Sequence, residues 1–430
     1  EYHAIQSLVV TRGTDSAISS FASLREQLMA TRTRPPTIPI TELEHAAFCK
    51  PEDELPAKSL AEEMAVNIRW QKISTEYLHL SAEEIDQRIH EAKQKLGKSV
   101  TVLGHHYQRE EVIKYADFQG DSFLLSQEAA RLPDADYIVF CGVHFMAETA
   151  CILCGPHQKV ILPNITAGCS MADMAPMDDV DDSWEDLQEV LGDHGGIVPV
   201  TYMNSIASIK ALCGRTGGAV CTSSNAVAVM DWALKQSQRV LFLPDQHLGR
   251  NTGLRLGLSL DEMALWNPFK RLGGNTPEQL RDAKLILWQG HCAVHTRFTV
   301  KQIETARERY PDITILVHPE CTMETVQAAD LSGSTEFIRK AINEAPAGSQ
   351  WAVGTEVSLV NRLALENPDK VIFCLDPVIC PCSTMYRIHP AYVLWVLEGL
   401  LDGQVINQIT VPDDVKQDAL VALERMLSLR

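Results

Sequence analysis

From about residue 80 the chain alternates short, nearly unbroken apolar runs with longer segments of helical periodicity. The runs include VTVLG (100–104), YIVFC (137–141), VPVTY (198–202), VLFL (240–243), LILW (285–288), ITILV (313–317) and VIFC (371–374). An apolar run bounded by turn residues is a strand covered on both faces, the parallel-sheet case. Between the runs lie helical stretches such as SAEEIDQRIHEAKQKLG (81–97), with Ser81 as N-cap and Glu84 at capping-box spacing. Strand–helix alternation of this kind predicts α/β layers.

The alternation falls into three rounds. Each opens with an apolar strand ending in a polar triplet: His105-His106-Tyr107, Tyr202-Met203-Asn204, and His318-Pro319-Glu320. Each later reaches a strand-to-loop segment bearing a cysteine: Cys169 in AGCSMAD, Cys292 in WQGHCAVH, and Cys382 in CPCSTMYR. Ligands of parallel α/β sheets bind beyond the carboxyl ends of the strands. Three similar three-layer α/β domains around a pseudo-threefold axis would aim all these ends at one central active site. The expected limits are 86–185, 186–300 and 301–388, with C-terminal helices at 389–430 packing on the body. Residues 1–85 read as an N-terminal extension, a Pro/Thr-rich loop at 31–45 and a charged helical approach at 50–64. The first residue is not Met, so further residues are expected upstream.

Composition narrows the function. A net charge of −18 argues against nucleic-acid and anionic-membrane binding. No apolar run approaches the ~18 residues that span a bilayer, and the N-terminus lacks a signal-peptide layout. Twelve cysteines without such a signal imply a reducing compartment, the cytoplasm, where most thiols are inert core residues. The CxxC of Cys151 and Cys154 falls in helical sequence and is a weak signal alone.

Cys169, Cys292 and Cys382 stand apart from the rest, with Cys380 as a rival to Cys382. Three soft ligands and no evident fourth suit an iron–sulfur cluster with one open iron, a Lewis acid. His295, three residues after Cys292, is a candidate donor beside the cluster. Hydroxyls in GDS (120–122), TSS (222–224) and SGST (332–335) run into helices. Each is explained by N-capping alone, but three in equivalent places point to a polyanionic substrate. Two other classes share some of these features. An iron–sulfur carrier or sensor would use the thiols but not His105, Glu320 or the hydroxyls. A zinc-dependent aldolase-type lyase would use His and Cys at strand ends.

GHHYQ (104–108), GDSFLLS (120–126), GVHFMAETA (142–150), AGCSMAD (167–173), TYMNS (201–205), CTSSNA (221–226), PDQHLG (244–249), GHCAVH (290–295), VHPEC (317–321), SGSTE (332–336) and CPCSTMYRI (380–388) together resemble the quinolinate synthase family, over roughly residues 80–400. The extension resembles the family's longer form. The resemblance implies condensation of iminoaspartate with dihydroxyacetone phosphate to quinolinate, with loss of phosphate and two waters, for NAD biosynthesis. It implies a [4Fe–4S] cluster on Cys169, Cys292 and Cys382, the last chosen because a Met, here Met385, follows the third ligand by three residues. It places His105, Ser122, Tyr202, Met203, Asn204, Ser223, His318, Pro319, Glu320 and Thr335 around substrate. Glu320, His318 and Tyr107 are then the catalytic set: Glu320 the base, His318 its proton partner, and Tyr107 on a loop that closes over substrate. The partners are small molecules, with a transient contact to the iminoaspartate-producing oxidase admitted. One departure is His106, where many members have Asn.

Overall fold

The computed structural model describes residues 59–64, 70–132, 134–192, 196–378 and 381–429. The expected loop at 31–45 and most of the 50–64 approach lie outside these residues; Leu60–Met64 is helical.

Three separate parallel sheets form, one per round. The first contains β1 (Val100–His105), β2 (Phe118–Gly120), β3 (Tyr137–Cys141) and β4 (Lys159–Ile161). The second contains β5 (Val198–Tyr202), β6 (Ala219–Cys221), β7 (Val240–Leu243), β8 (Met263–Trp266) and β9 (Leu285–Trp288). The third contains β10 (Thr314–Val317), β11 (Leu331–Ser332), β12 (Gln350–Gly354) and β13 (Val371–Cys374). Their orders are β4-β3-β1-β2, β9-β7-β5-β6 with β8 outside β9, and β13-β12-β10-β11. The three orders are equivalent: the first strand of each round is central, the second lies at one edge, and the last bears the cysteine loop. These thirteen strands fall within 86–185, 186–300 and 301–388, and we propose those limits for the three domains.

The central strands were visible in sequence because they are buried on both faces, as in the fully buried β1, β5 and β7. The short edge strands β2 and β11 were not, since most of their residues are partly or fully exposed and form no apolar run. The helix Ala82–Leu96 has the expected Ser81–Glu84 capping box.

The C-terminal segment ties two domains together. A last strand, β14 (Gln408–Ile409), pairs antiparallel with β4. Helix Pro390–Leu401 lies against Ala82–Leu96, where Glu398 accepts bonds of 2.9 and 2.7 Å from Arg88 and 2.7 Å from the Tyr77 hydroxyl. Helix Asp413–Ser428 packs on Ala207–Arg215 so closely that a Cβ on Gly214 would lie 1.8 Å from the Asp418 carbonyl oxygen. Glycine is the residue that permits this approach. Its helix in turn supports the Ser223 loop: Asn225 donates to the Met426 and Leu429 carbonyls at 3.2 Å each and accepts from Thr222 N at 2.8 Å. Gly214→Ala should therefore destabilise the protein by about 1–3 kcal/mol, the usual cost of overpacking. A midpoint unchanged in denaturant titration would show that the two helices separate freely.

Candidate active site

Strand geometry builds the site. Each polar triplet starts at or just past its strand end and runs into a turn or bend, and its outer members face the cavity while the middle one does not. His105 and Tyr107, Tyr202 and Asn204, and His318 and Glu320 all line one central cavity of about 130 Å³. His106, Met203 and Pro319 do not. His106 reaches out to Glu336 at 3.3 Å, Met203 sits under Thr149 at 3.4 Å, and the Pro319 carbonyl accepts from Asn251 at 2.9 Å. Met203 and Pro319 are not among the residues that line the cavity.

Ser122, Ser223 and Thr335 also line the cavity, each after the edge strand of its sheet. Capping does not account for Ser122 and Thr335. Their helices are capped by the preceding residues, Asp121 through Leu124 N at 2.8 Å and Ser334 through Phe337 N at 3.2 Å. Two hydroxyls are thereby left at helix starts facing the cavity, the arrangement that suits an anion.

The three domains are clasped in a cycle by polar bonds, buried at two of the three junctions. The first meets the second where Ser224 Oγ donates to Asp121 at 2.9 Å. The second meets the third where Asn251 Nδ2 donates to the Pro319 and Cys321 carbonyls, both at 2.9 Å. The third meets the first where Arg362 donates to the His106 carbonyl and, at 3.3 Å, to that of Gln108. The His106–Glu336 contact adds to that last clasp. The hydrogen bond from His106, together with Arg339, holds the Glu336 carboxyl down at about 2 against the opposing effect of burial. The His106 departure therefore has a structural use between domains.

Glu320 is the centre. It is 2% exposed, accepts the Tyr202 O–H at 2.5 Å on one oxygen and lies 2.8 Å from His295 Nδ1 on the other. Burial alone would raise its carboxyl, but His295, His318 and these two bonds outweigh that and bring it down to about 2. The ring of His295 stacks on that of His318 at 4.3 Å. Burial and the neighbouring His295 push His318 down to about 3, so it is neutral. Its Nδ1 accepts from Glu320 N at 3.4 Å, which leaves Nε2 to carry the proton. His105 is likewise kept neutral by burial and His106, with Nδ1 accepting from Tyr107 N at 3.1 Å. Burial and the Glu320 charge hold the Tyr107 and Tyr202 phenols well above their ordinary value, so both keep their protons.

Cys169, Cys292 and Cys382, one from each domain, line the same cavity. Burial raises all three thiols, Cys169 to about 12, and Cys292 also feels the other two. Three mutually interacting soft donors from three strand ends fit a metal centre. Glu356 Oε1 accepts the Cys382 amide at 3.1 Å and so fixes that loop. Cys380, the rival, lies outside the described residues. Cys151 and Cys154 sit at the end of helix His144–Leu153 and do not line the cavity. A second grouping, Cys292 with His295 and Glu320, has ligand atoms within 4.8 Å of one another. There the imidazole and carboxylate already serve each other, so a metal on all three would have to break that bond. His295 was expected only as a neighbour of the metal; its bond to Glu320 was not legible in sequence. Nor were Thr355, hydrogen-bonded to Tyr107, and Arg297, which lines the cavity while paired to Asp376 at 2.8 Å.

Fold and site together define a three-domain α/β enzyme whose centre sets soft metal ligands beside an acid–base group. The chain belongs to the family described as Quinolinate synthetase A protein (NadA), whose model matches residues 87–428. It is 59% identical over 361 residues to the quinolinate synthase of Corynebacterium glutamicum, covering 84% of this chain and 91% of that one. It is 55% identical over 356 residues to that of Herpetosiphon aurantiacus, covering 82% and 95%. It is 54% identical over 354 residues to that of a Geobacillus species, again covering 82% and 95%.

Asn251 tests the clasp between the second and third domains without touching the cavity. Asn251→Ala leaves two buried carbonyls without their donor, and stability should fall by about 1–3 kcal/mol. Turnover should fall with it, because the same carbonyls flank Glu320. Full activity in a destabilised variant would separate assembly of the domains from placement of Glu320.

Proposed function

We propose that the cavity condenses iminoaspartate with dihydroxyacetone phosphate to quinolinate, releasing phosphate and two waters, with a [4Fe–4S] cluster on Cys169, Cys292 and Cys382. Family membership and the relatives' names support quinolinate synthesis for NAD. The observation that carries the mechanism is one thiol from each domain facing the Glu320 network across a single cavity. When bound, such a cluster supplies a Lewis-acidic iron with an open position that polarises a group to be eliminated.

The chain's own residues supply binding and proton transfer. The Ser122, Ser223 and Thr335 hydroxyls, with the Nε2–H of His105, form neutral donors around anionic substrate groups. Tyr202 and Asn204 line the same cavity. Glu320, ionised and held on both oxygens, is the general base for tautomerisation and dehydration. His318, neutral and protonated on Nε2, is the donor beside it. Tyr107, on the GHHYQ loop, closes the mouth and excludes water. A transient contact with the oxidase that makes iminoaspartate belongs to the same reading, since an imine hydrolyses in water. No described helix is long and apolar enough to cross a membrane. The free thiols among the described residues suit the reducing cytoplasm.

Anaerobic purification and assay test this directly. The parent should carry iron and sulfide, not zinc, and form quinolinate from the two substrates. Single Ser substitutions at Cys169, Cys292 or Cys382 should remove the bound iron and its visible absorbance. Cys151→Ser and Cys154→Ser should retain both. A colourless zinc protein would favour the Cys292–His295–Glu320 grouping instead. Glu320→Gln keeps the shape of the base without its basicity. It should keep iron and substrate binding and lose ~10²–10⁴-fold in turnover, the usual worth of one acid–base group. Turnover within a few-fold of the parent would place the base elsewhere.

A further inference from the structure

Cys169 lines two cavities. One is the central cavity, and the other is a space of about 150 Å³ lined also by His144, Ile165, Thr166 and Asp173. Phe145 borders both as well. The loop from Leu162 to Cys169 therefore walls the proposed metal site from the second space, and Ile165 on it is 40% exposed. No helix or strand forms between β4 and Ala172, so the loop keeps its place through the bonds made to it.

Most of those bonds come from the C-terminal side of the chain. Leu162 N donates to the Asn407 carbonyl at 3.2 Å, Asn164 Nδ2 to the Arg387 carbonyl at 3.0 Å, and Arg387 Nη1 to the Thr166 carbonyl at 2.9 Å. One comes from the opposite end: Gln71 Oε1 accepts the Ile165 N–H at 2.8 Å. That donor fixes how the Gln71 amide lies, since a backbone N–H must face oxygen. Its Nε2 then donates to Asn407 Oδ1 at 2.7 Å. Asn407 Nδ2 is thereby turned to the Pro163 carbonyl at 2.9 Å and back to Gln71 Oε1 at 3.0 Å. The two amides form a closed pair that holds an N–H and a carbonyl of the loop together. Asn407 reaches this position at φ 55°, in the left-handed region that Asn tolerates better than most residues.

Gln71 is itself held from behind. Its carbonyl accepts the Tyr392 O–H at 2.5 Å, and the Trp70 ring stacks on that of Tyr392 with centroids 6.3 Å apart and planes 8° from parallel. Farther along, Tyr77 bonds Glu398 of the same helix, Pro390–Leu401. Trp70, Gln71 and Tyr77 all precede the residues that the family model matches, which start at 87. We infer that Gln71 is a positioning residue: residues 70–78 form a strap along the C-terminal helix that braces the Cys169 loop and slows loss of the metal centre to solvent. The consequence for the metal rests on the function proposed above, but the bracing is a property of the chain alone.

Gln71→Met keeps the length of the side chain and removes both polar atoms, while Tyr77→Phe cuts another bond of the strap and leaves the amide pair intact. Amide hydrogen exchange is read first, on the protein as purified anaerobically. In Gln71→Met a peptide covering residues 162–170 should exchange about 5-fold faster, the scale of one hydrogen bond. Peptides of β1 and β3 should stay as protected as in the parent. An anaerobic ferrous chelator, bathophenanthroline disulfonate, should strip iron from Gln71→Met about 5-fold faster than from the parent. Tyr77→Phe should match the parent in both measurements. Should Gln71→Met not fold, Trp70→Ala frees the strap at its stacked end and must loosen the same loop. Unchanged exchange at 162–170, equal loss in β1 and β3, or parental iron release from a loosened loop would each overturn the inference. So would a Tyr77→Phe variant as loose as Gln71→Met, which would leave Gln71 no part of its own. A parent that holds no iron would overturn the proposed function alone, since the exchange comparison does not need the metal.

Discussion

The structure turns on a buried carboxylate that pairs with no lysine or arginine among the described residues. Moving an ionised carboxyl from water into a protein interior costs several kcal/mol unless hydrogen bonds and nearby positive or polar groups compensate. Glu320 obtains its compensation from Tyr202 and His295 of the second domain, with His318 of its own domain beside it. None of these partners is a permanent charge, so the balance holds only while the domains keep their mutual positions. The cycle of clasps through Ser224–Asp121, Asn251–Pro319 and Arg362–His106 supplies that constraint. A shift of one domain would strand the charge, and the base is therefore as well placed as the assembly is rigid.

The same sheet plan used three times yields three different contributions. After the first strand of each round, the outer two residues of the triplet line the cavity and the middle one does not. After the second strand, a residue beside the hydroxyl caps the helix in the first and third domains, which frees Ser122 and Thr335. After the last strand comes a thiol. Gly290 shows how tightly such a loop is held: a Cβ there would lie 2.3 Å from the Pro244 carbonyl oxygen. Position in the plan decides where a side chain points, and residue identity decides what it does.

Much of this was legible because burial and chemistry left separate marks. Continuous apolar runs marked the inner strands, and polar triplets at their ends marked the cavity. Legibility stopped where the mark was weak or the partner distant. The edge strands β2 and β11 carry only three and two residues, most of them partly or fully exposed. Helix Met177–Leu191 does bury Val180, Trp184 and Leu187 at helical spacing, but its dense acidic residues obscured the periodicity. Thr355 and the His295–Glu320 bond depend on how domains meet, which no local pattern in one chain records.

The thiols meet the opposite electrostatic condition from Glu320. Burial already disfavours each thiolate, and Cys292 also faces the charge of Glu320. Three thiolates beside an ionised carboxylate would be mutually repulsive in a medium of low dielectric. They can be ionised together only when a cation takes the place of their protons, so metal binding must release protons and weaken as pH falls. None of the three domain clasps uses a cysteine side chain. The geometry that positions the ligands is thus set by hydrogen bonds between domains, and the metal contributes charge to a cavity whose walls are already fixed.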